Sequence, residues 1–367
     1  MGVSSRRLTH NEHTRHRTNG EHKEKYQKST TRRRRDEMTH MNAEIKAELL
    51  ALGKVDVEPS LLPRPSRSTA GPGTGLRSIF FKSGGHRVRL EIDTDSPLKM
   101  VQQNGDVVIL KDNRELVRGV IDPIVAHCPE QTYITISEQC MYDCKFCSVP
   151  KFQGKIKTLD QVLEIVENVH KEGKLKTIAF TSGVASTPEN EIDRVVEYVT
   201  AVKKYNVPIG VAVYPTQGSS QRLKDAGVTE VKYNVETMDR EIFERVCTGR
   251  KGHSLDFILD SLRDAVKVFG KNRVSSNIII GLGETDECVK NGVEYLAKTG
   301  VIAVLRPITI SPYRKGEISA TRPSAERLLK LTKMTRDIFN KYGLRVEVSR
   351  TMCLPCTGCD LTPGRDG

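Results

Sequence analysis

Six of the chain's nine cysteines fall into two tight groups. Cys140-Met141-Tyr142-Asp143-Cys144-Lys145-Phe146-Cys147 reads C-x3-C-x2-C, and Cys353-Leu354-Pro355-Cys356-Thr357-Gly358-Cys359 reads C-x2-C-x2-C. Three thiolates on one short loop can hold three irons of a [4Fe–4S] cubane and leave the fourth iron open to a bidentate ligand. A structural zinc site would want a fourth Cys or His at short spacing, and the first group has none. The second group can ligate a further [4Fe–4S] cluster, with Pro355 and Gly358 favouring the tight turns required. A zinc knuckle completed by Cys128 or His127 is the other reading of that group. Cys128, in His127-Cys128-Pro129-Glu130, is either a fourth ligand to the second group or an inert buried thiol. Cys247 and Cys288 read as ordinary helix cysteines, and Ser349 and Arg350 precede the second group closely enough to orient it.

These residues need a scaffold, and the chain supplies one from residue 131 onward. Short β-like runs (Tyr133–Ser137, Thr177–Thr181, Pro208–Tyr214, Glu230–Val235, Ser275–Ile280, Ala303–Ile310, Leu344–Val348) alternate with amphipathic stretches. Val162, Ile165, Val166 and Val169 form one helical face; Ile192, Val195, Val196 and Val199 form another. Leu255, Ile258, Leu259, Leu262 and Val266 form a third, with Ser254 as its N-cap. Repeated strand–helix units imply a parallel sheet curled toward a barrel, whose chemistry belongs at the C-terminal ends of the strands. The first cysteine group directly follows the first such strand.

Upstream, Ala43 to Leu52 reads as a short helix stopped by Gly53, and residues 58–76, rich in Pro, Gly and Ser, as a wrapping loop. From Ile79 to Val125, alternating runs such as His86–Ile92 and Val107–Leu110, with Asn104-Gly105 between them, predict a small antiparallel cap of hairpins. The expected organisation is a disordered basic extension (1–40), a helix and β-rich cap (41–127), a barrel (128–350) and a cysteine-rich tail (351–367).

C-x3-C-x2-C with Phe146 before its last cysteine, on the loop after the first strand of a βα barrel, resembles the radical S-adenosylmethionine (SAM) superfamily. The resemblance implies an α/β fold of the partial (βα)6 TIM-like kind. It also implies a [4Fe–4S] cluster on Cys140, Cys144 and Cys147 that binds SAM and cleaves it reductively to a 5′-deoxyadenosyl radical. Thr181-Ser182-Gly183 is similar to the stretch that receives the SAM amino group, and Gly281-Leu282-Gly283-Glu284-Thr285 to the adenine contact, implying roles for Gly281, Gly283 and Glu284. Lys232-Tyr233-Asn234-Val235-Glu236-Thr237, followed by Thr248-Gly249-Arg250, looks like the biotin synthase and lipoyl synthase branch. There Asn234 and Glu236 would contact SAM, and Arg250 a carboxylate; Tyr233 stands where the family motif carries His.

Within that branch the second group would hold a sacrificial cluster that donates sulfur. Its C-terminal position departs from common lipoyl synthases, and biotin synthase-related proteins, including two-component lipoyl synthases, match better. This implies sulfur insertion into an octanoyl chain on a lysine of an acidic lipoyl domain, with a second radical SAM subunit as partner. Arg306 and Tyr313 are further candidates for the substrate site. A related reading keeps the radical chemistry for organometallic cofactor biosynthesis. Another makes the chain a nucleic-acid-binding or RNA-modifying iron–sulfur protein.

Charge bears on partners. The net charge is +12, and residues 1–37 hold eleven Lys or Arg against five Asp or Glu. Such a surface suits acidic partners, including an electron donor such as ferredoxin or flavodoxin. The run Arg32–Arg35 reads as a solvated tail, so nucleic acid is not expected as the partner. No run approaches the ~18 apolar residues of a membrane helix, and no signal-peptide core precedes the fold, so a cytoplasmic enzyme without disulfides is expected.

Overall fold

The computed structural model describes residues 40–62, 66–152, 154–248 and 254–366. The expectations for the basic extension and for Arg250 lie outside them.

Six parallel strands, β8 (Thr132–Thr135), β9 (Ile178–Thr181), β10 (Ile209–Ala212), β11 (Glu230–Lys232), β12 (Val274–Ile280) and β13 (Ile302–Pro307), stand side by side in chain order. Their Val- and Ile-rich sequences are buried on both faces, as parallel strands under helices must be. The crossover helices begin where the sequence provides caps. Thr158 closes a capping box with Gln161, and Thr187, Ser254, Thr285 and Ser324 each accept a backbone N–H of their own first turn. The result is a partial (βα)6 barrel.

The expected seventh strand at 344–348 is instead a single 3-10 turn, Val346–Val348. Its cause is local. Gly343 ends the helix Ala325–Tyr342 in the left-handed conformation, and Asn272 then captures the Arg345 N–H. The buried Glu230 carboxylate takes the N–H groups of Arg350 and Thr351. A side chain at the foot of β11 thus satisfies backbone that a neighbouring strand would otherwise bond.

The cap is a seven-stranded sheet in the order β2-β3-β4-β1-β5-β6-β7, with a further β3–β7 pairing that brings its ends together. Its strands are β1 (Lys54–Val57), β2 (Ser66–Arg67), β3 (Arg77–Ser83), β4 (His86–Ile92), β5 (Leu98–Gln103), β6 (Asp106–Lys111) and β7 (Arg114–Ile121). It is mostly hairpins, but β1 runs parallel to both β4 and β5, which alternation alone did not reveal. Asn104-Gly105 turns β5 into β6 with both residues at positive φ, the two-residue hairpin geometry.

The cysteine-rich tail lies between cap and barrel. Gln131, beside β8, donates to the Met352 carbonyl at 2.7 Å; Arg306 of β13 pairs with Asp360 at 2.7 Å; and the Arg89 N–H of β4 reaches the Gly358 carbonyl at 2.6 Å. The tail therefore links the two edge strands of the barrel to the cap. Among the described residues no helix is long and apolar enough to cross a membrane.

Candidate active site

Both cysteine groups open onto one cavity of about 370 Å³, lined among others by Cys140, Cys144, Cys147, Cys128, Cys353, Cys356 and Cys359. The first group sits on a loop fastened by backbone. Met141 N–H donates to Val184 O at 2.6 Å, and Lys145 N–H to Val246 O at 2.7 Å. The buried Arg314 donates to Cys147 O at 2.7 Å and pairs with Asp143 and Glu317. Gly183 lies beneath the loop: a Cβ there would stand 2.2 Å from Gln139 O and 3.3 Å from Cys140 Cβ, so only glycine allows the approach. Burial pushes the Cys147 thiol up to about 12, and the neighbouring Cys144, Cys140 and Glu236 add to it. Metal coordination would relieve such a thiol.

Two cysteines of the second group, Cys353 and Cys356, sit on a single helical turn, bracketed by Met352 and Thr357 at φ 61 and 54, and Cys359 follows it. The turn signal read from Gly358 has another cause. A Cβ at Gly358 would meet the Phe80 ring at 2.7 Å, so this glycine serves close packing, and Thr357 takes the left-handed conformation. Glu230 anchors the approach by accepting from Ser349 Oγ, Thr351 Oγ1 and two backbone N–H groups. The surroundings are cationic. Arg87 donates to Cys356 O at 3.1 Å, and burial opposes the Arg306 guanidinium, but Cys359, Cys353 and Asp360 outweigh it and hold it charged. A hydrogen bond from Cys128 holds the Cys356 thiol down at about 7 despite burial, with Gly358 N–H and Arg87 assisting. Burial, with Arg89 and Arg306 nearby, lowers His127 to about 3, so its imidazole is neutral.

No disulfide joins any of the nine cysteines. Among the described residues no three His, Cys, Asp or Glu side chains gather as the shell of one metal ion.

The remaining candidates divide. Phe146, Thr181, Ser182, Gly183, Asn234 and Glu236 line the cavity. Asn234 also accepts the Asn277 N–H, Ser182 hydrogen-bonds Glu191, and Glu236 holds φ 66 where it bridges Ile278. Gly281, Gly283 and Glu284 do not line it. The Glu284 carboxylate accepts from Gly281 and Leu282 N–H and pairs with Arg327, while Gly281 backs onto Thr321 O. That motif closes its own turn. Tyr233 points behind the sheet to Ser219 and Ser220, so it cannot act in the cavity. Arg306 lines the cavity, whereas Tyr313 is exposed and meets Phe152 edge to face.

Three site residues escaped sequence reasoning. Arg314 and Glu230 act through backbone distant in sequence, which no local signal announces. Lys232 lies inside a motif already singled out, and the period-2 spacing 232, 234, 236 from the end of β11 onward would have placed it in the interior. It is 3% exposed, lines the cavity, and its amine meets Asn277 Oδ1 at 3.4 Å.

The model of the radical SAM superfamily matches residues 134–296, the span that carries the first cysteine loop and β8 through β12. Residues 134–296 are a radical SAM domain. Among curated proteins it is 33% identical over 163 residues to a biotin synthase of Hydrogenobaculum sp., covering 41% of this chain and 46% of that one. It is 26% identical over 231 residues to a Clostridium botulinum biotin synthase, covering 59% and 68%. It is also 27% identical over 167 residues to the ribosomal protein uS12 methylthiotransferase RimO of Helicobacter hepaticus, covering 42% and 36%. The matched stretch thus spans less than half of the first of these relatives. Among solved structures, methylornithine synthase (PylB) overlaps 56% of this chain and 61% of its own at TM-score 0.47 and 18% identity. A radical SAM domain implies a [4Fe–4S] cluster and SAM, and Cys140, Cys144 and Cys147 have the spacing to hold that cluster.

Proposed function

We propose that this radical SAM enzyme inserts sulfur into an unactivated C–H bond, with the tail cysteines holding a second cluster. The observation that carries the reading is the shared cavity: both trios line it, so a substrate between them faces the radical source and the sulfur source together. When bound, the first cluster supplies the electron that cleaves SAM and so starts hydrogen abstraction; the second supplies sulfide. The chain's own part is to hold the loop at Gly183 and Arg314, to line the SAM side with Phe146, Thr181, Asn234 and Glu236, and to keep the cavity closed under cap and tail. Relatives named biotin synthase and methylthiotransferase support sulfur chemistry. Within it we propose an octanoyl chain on a carrier-domain lysine as substrate, a second radical SAM chain as partner, and an acidic ferredoxin or flavodoxin as donor.

The test is iron and sulfide per chain after anaerobic reconstitution, comparing wild type with Cys353→Ala/Cys356→Ala/Cys359→Ala. About eight irons falling to about four is expected for two cubanes. About four in both proteins removes the sulfur source and sinks the reading. Incubation with octanoylated lipoyl-domain peptide, SAM and reductant, read by mass spectrometry, then tests the substrate: sulfur added to the peptide supports it, and 5′-deoxyadenosine without peptide thiolation rejects it.

A further inference from the structure

Cys128 is separated from Cys353 by most of the barrel sequence, yet it is built into the same site. The segment that carries it forms a tight turn: Val125 N–H donates to Cys128 O, Cys128 bridges Gln131, and Glu130 takes φ 65. That turn is clasped to the tail at both ends of the helical turn bearing Cys353 and Cys356. Gln131 Nε2 donates to the carbonyl of Met352, immediately before Cys353, and Arg87 spans from the Cys356 carbonyl to Glu130 at 3.5 Å. The Cys128 thiol hydrogen-bonds Cys356, and the two pack with Phe80 in a buried cluster. Cys128, Cys353, Cys356 and Cys359 line one end of the cavity together.

From this we infer that Cys128 is the fourth protein ligand of the tail cluster, which is therefore held by four thiolates. The inference rests on the second cluster proposed above. Packing favours Cys128 over its neighbour, and charge accommodates a fourth thiolate. Both line the cavity, but His127 lies against the Tyr133 ring at 5.4 Å, whereas Cys128 packs with Cys356 and Phe80 in one buried cluster. Four thiolates would leave the cluster strongly anionic; Arg89 and Arg306 line the cavity, and Arg87 donates to the Cys356 carbonyl, so positive charge is at hand.

A cluster with four thiolate ligands keeps no open iron, in contrast to the SAM cluster. Substrate would then be placed by the cavity walls, Lys232 and Asn277 among them, and not by coordination to the tail cluster.

The experiment uses Cys140→Ala/Cys144→Ala/Cys147→Ala, which removes the SAM cluster so that only the tail cluster is read. Reconstituted anaerobically, this protein should hold about four irons, and mild oxidation should leave it without the EPR signal of a three-iron cluster. Adding Cys128→Ala should either remove the iron or expose one site, read as a three-iron EPR signal and a distinct iron in the Mössbauer spectrum. A Cys128→Ala protein with unchanged iron, Mössbauer and EPR spectra overturns the inference while leaving the second cluster standing. The same holds if His127→Ala gives the three-iron signal instead. No iron, or one zinc, in the parent triple variant overturns the second cluster itself and this inference with it. Thermal melts of each protein show whether a loss of iron is a loss of fold. A melt of the Cys128→Ala protein far below its parent transfers the decision to Cys128→Ser, which keeps the shape and offers a weaker ligand. Unchanged spectra there count against the inference, and a changed cluster signature counts for it.

Discussion

The two cysteine groups use the same ligand type at nearly the same spacing, but the chain builds them in opposite ways. The first sits on a loop held by its own barrel: backbone bonds to Val184 and Val246, and a glycine whose missing side chain lets the second strand's end come close. The second belongs to no strand. It is fixed by side chains distant in sequence: Glu230 below, Gln131 beside β8, and arginines from β4 and β13. Their electrostatics differ as well, with Cys147 pushed up to about 12 by burial and Cys356 held at about 7 by its hydrogen bond from Cys128. A site made by the fold's repeating unit carries the chemistry common to the family. A site assembled from outside that unit is where one member can acquire its own reaction.

The sharpest break is removal of the first group. Cys140→Ala/Cys144→Ala/Cys147→Ala should lower reductive SAM cleavage, followed as 5′-deoxyadenosine, to the uncatalysed background, while the tail cluster's iron remains. Gly183→Ala should do much the same with every ligand intact, because its Cβ would lie 2.2 Å from Gln139 O and must displace the loop. Normal SAM cleavage in Gly183→Ala would mean that the backbone does not set the loop's position.

Next in size is Glu230→Ala, which tests whether the second group depends on a distant side chain. The carboxylate is 2% exposed and accepts from Ser349, Arg350 and Thr351 while pairing with Arg273 at 2.8 Å. Its removal leaves buried donors unpaired and should cost about 3–5 kcal/mol, measured by denaturant unfolding. Iron at the tail should fall while the SAM cluster persists. Equal loss from both clusters would show that the two sites are not independently anchored.

The same contrast explains what the sequence could announce. The barrel was legible because its units repeat: six of the expected strands are present, and Ser254 caps its helix as its position before the apolar stripe implied. The first trio was legible because its spacing is local. The strand misread at 344–348 has strand-like residues, and only Asn272 and Glu230, remote in sequence, divert it. Gly281-Leu282-Gly283-Glu284 matched a ligand-contact pattern, but its glutamate bonds its own turn, a distinction that spacing does not carry. The grouping of Cys128 with the tail depends on tertiary structure, so the sequence could offer it only as one of two alternatives.

A third prediction concerns the space between the groups. Lys232 is buried with one long contact to Asn277, a poor arrangement for stability and a useful one for holding a polar group of the substrate. Lys232→Met keeps the volume and removes the amine. It should stabilise the protein by about 1–2 kcal/mol and reduce kcat/KM by about tenfold, the loss of roughly one hydrogen bond to substrate. A variant that is more stable with unchanged kcat/KM would assign the amine to neither substrate nor cofactor.

The smallest expected effect isolates the charge difference. Arg89 lines the cavity near the tail, donates to Ser78 Oγ at 2.7 Å and lies over the Phe80 ring at 5.8 Å. Arg89→Gln removes a positive charge from that end and leaves the Arg306–Asp360 and Arg87–Asp122 pairs in place. Reduction adds negative charge to a cluster, so loss of a nearby cation makes reduction harder. The tail cluster's potential should fall by on the order of tens of millivolts, where about 59 mV is a tenfold change for one electron. The SAM cluster, whose loop is clamped by Arg314 instead, should keep its potential. Potentiometric EPR on the wild type and the variant separates the two signals. A parallel fall in both potentials would show that the cavity behaves as one electrostatic compartment, and the contrast between the groups would then be one of anchoring alone.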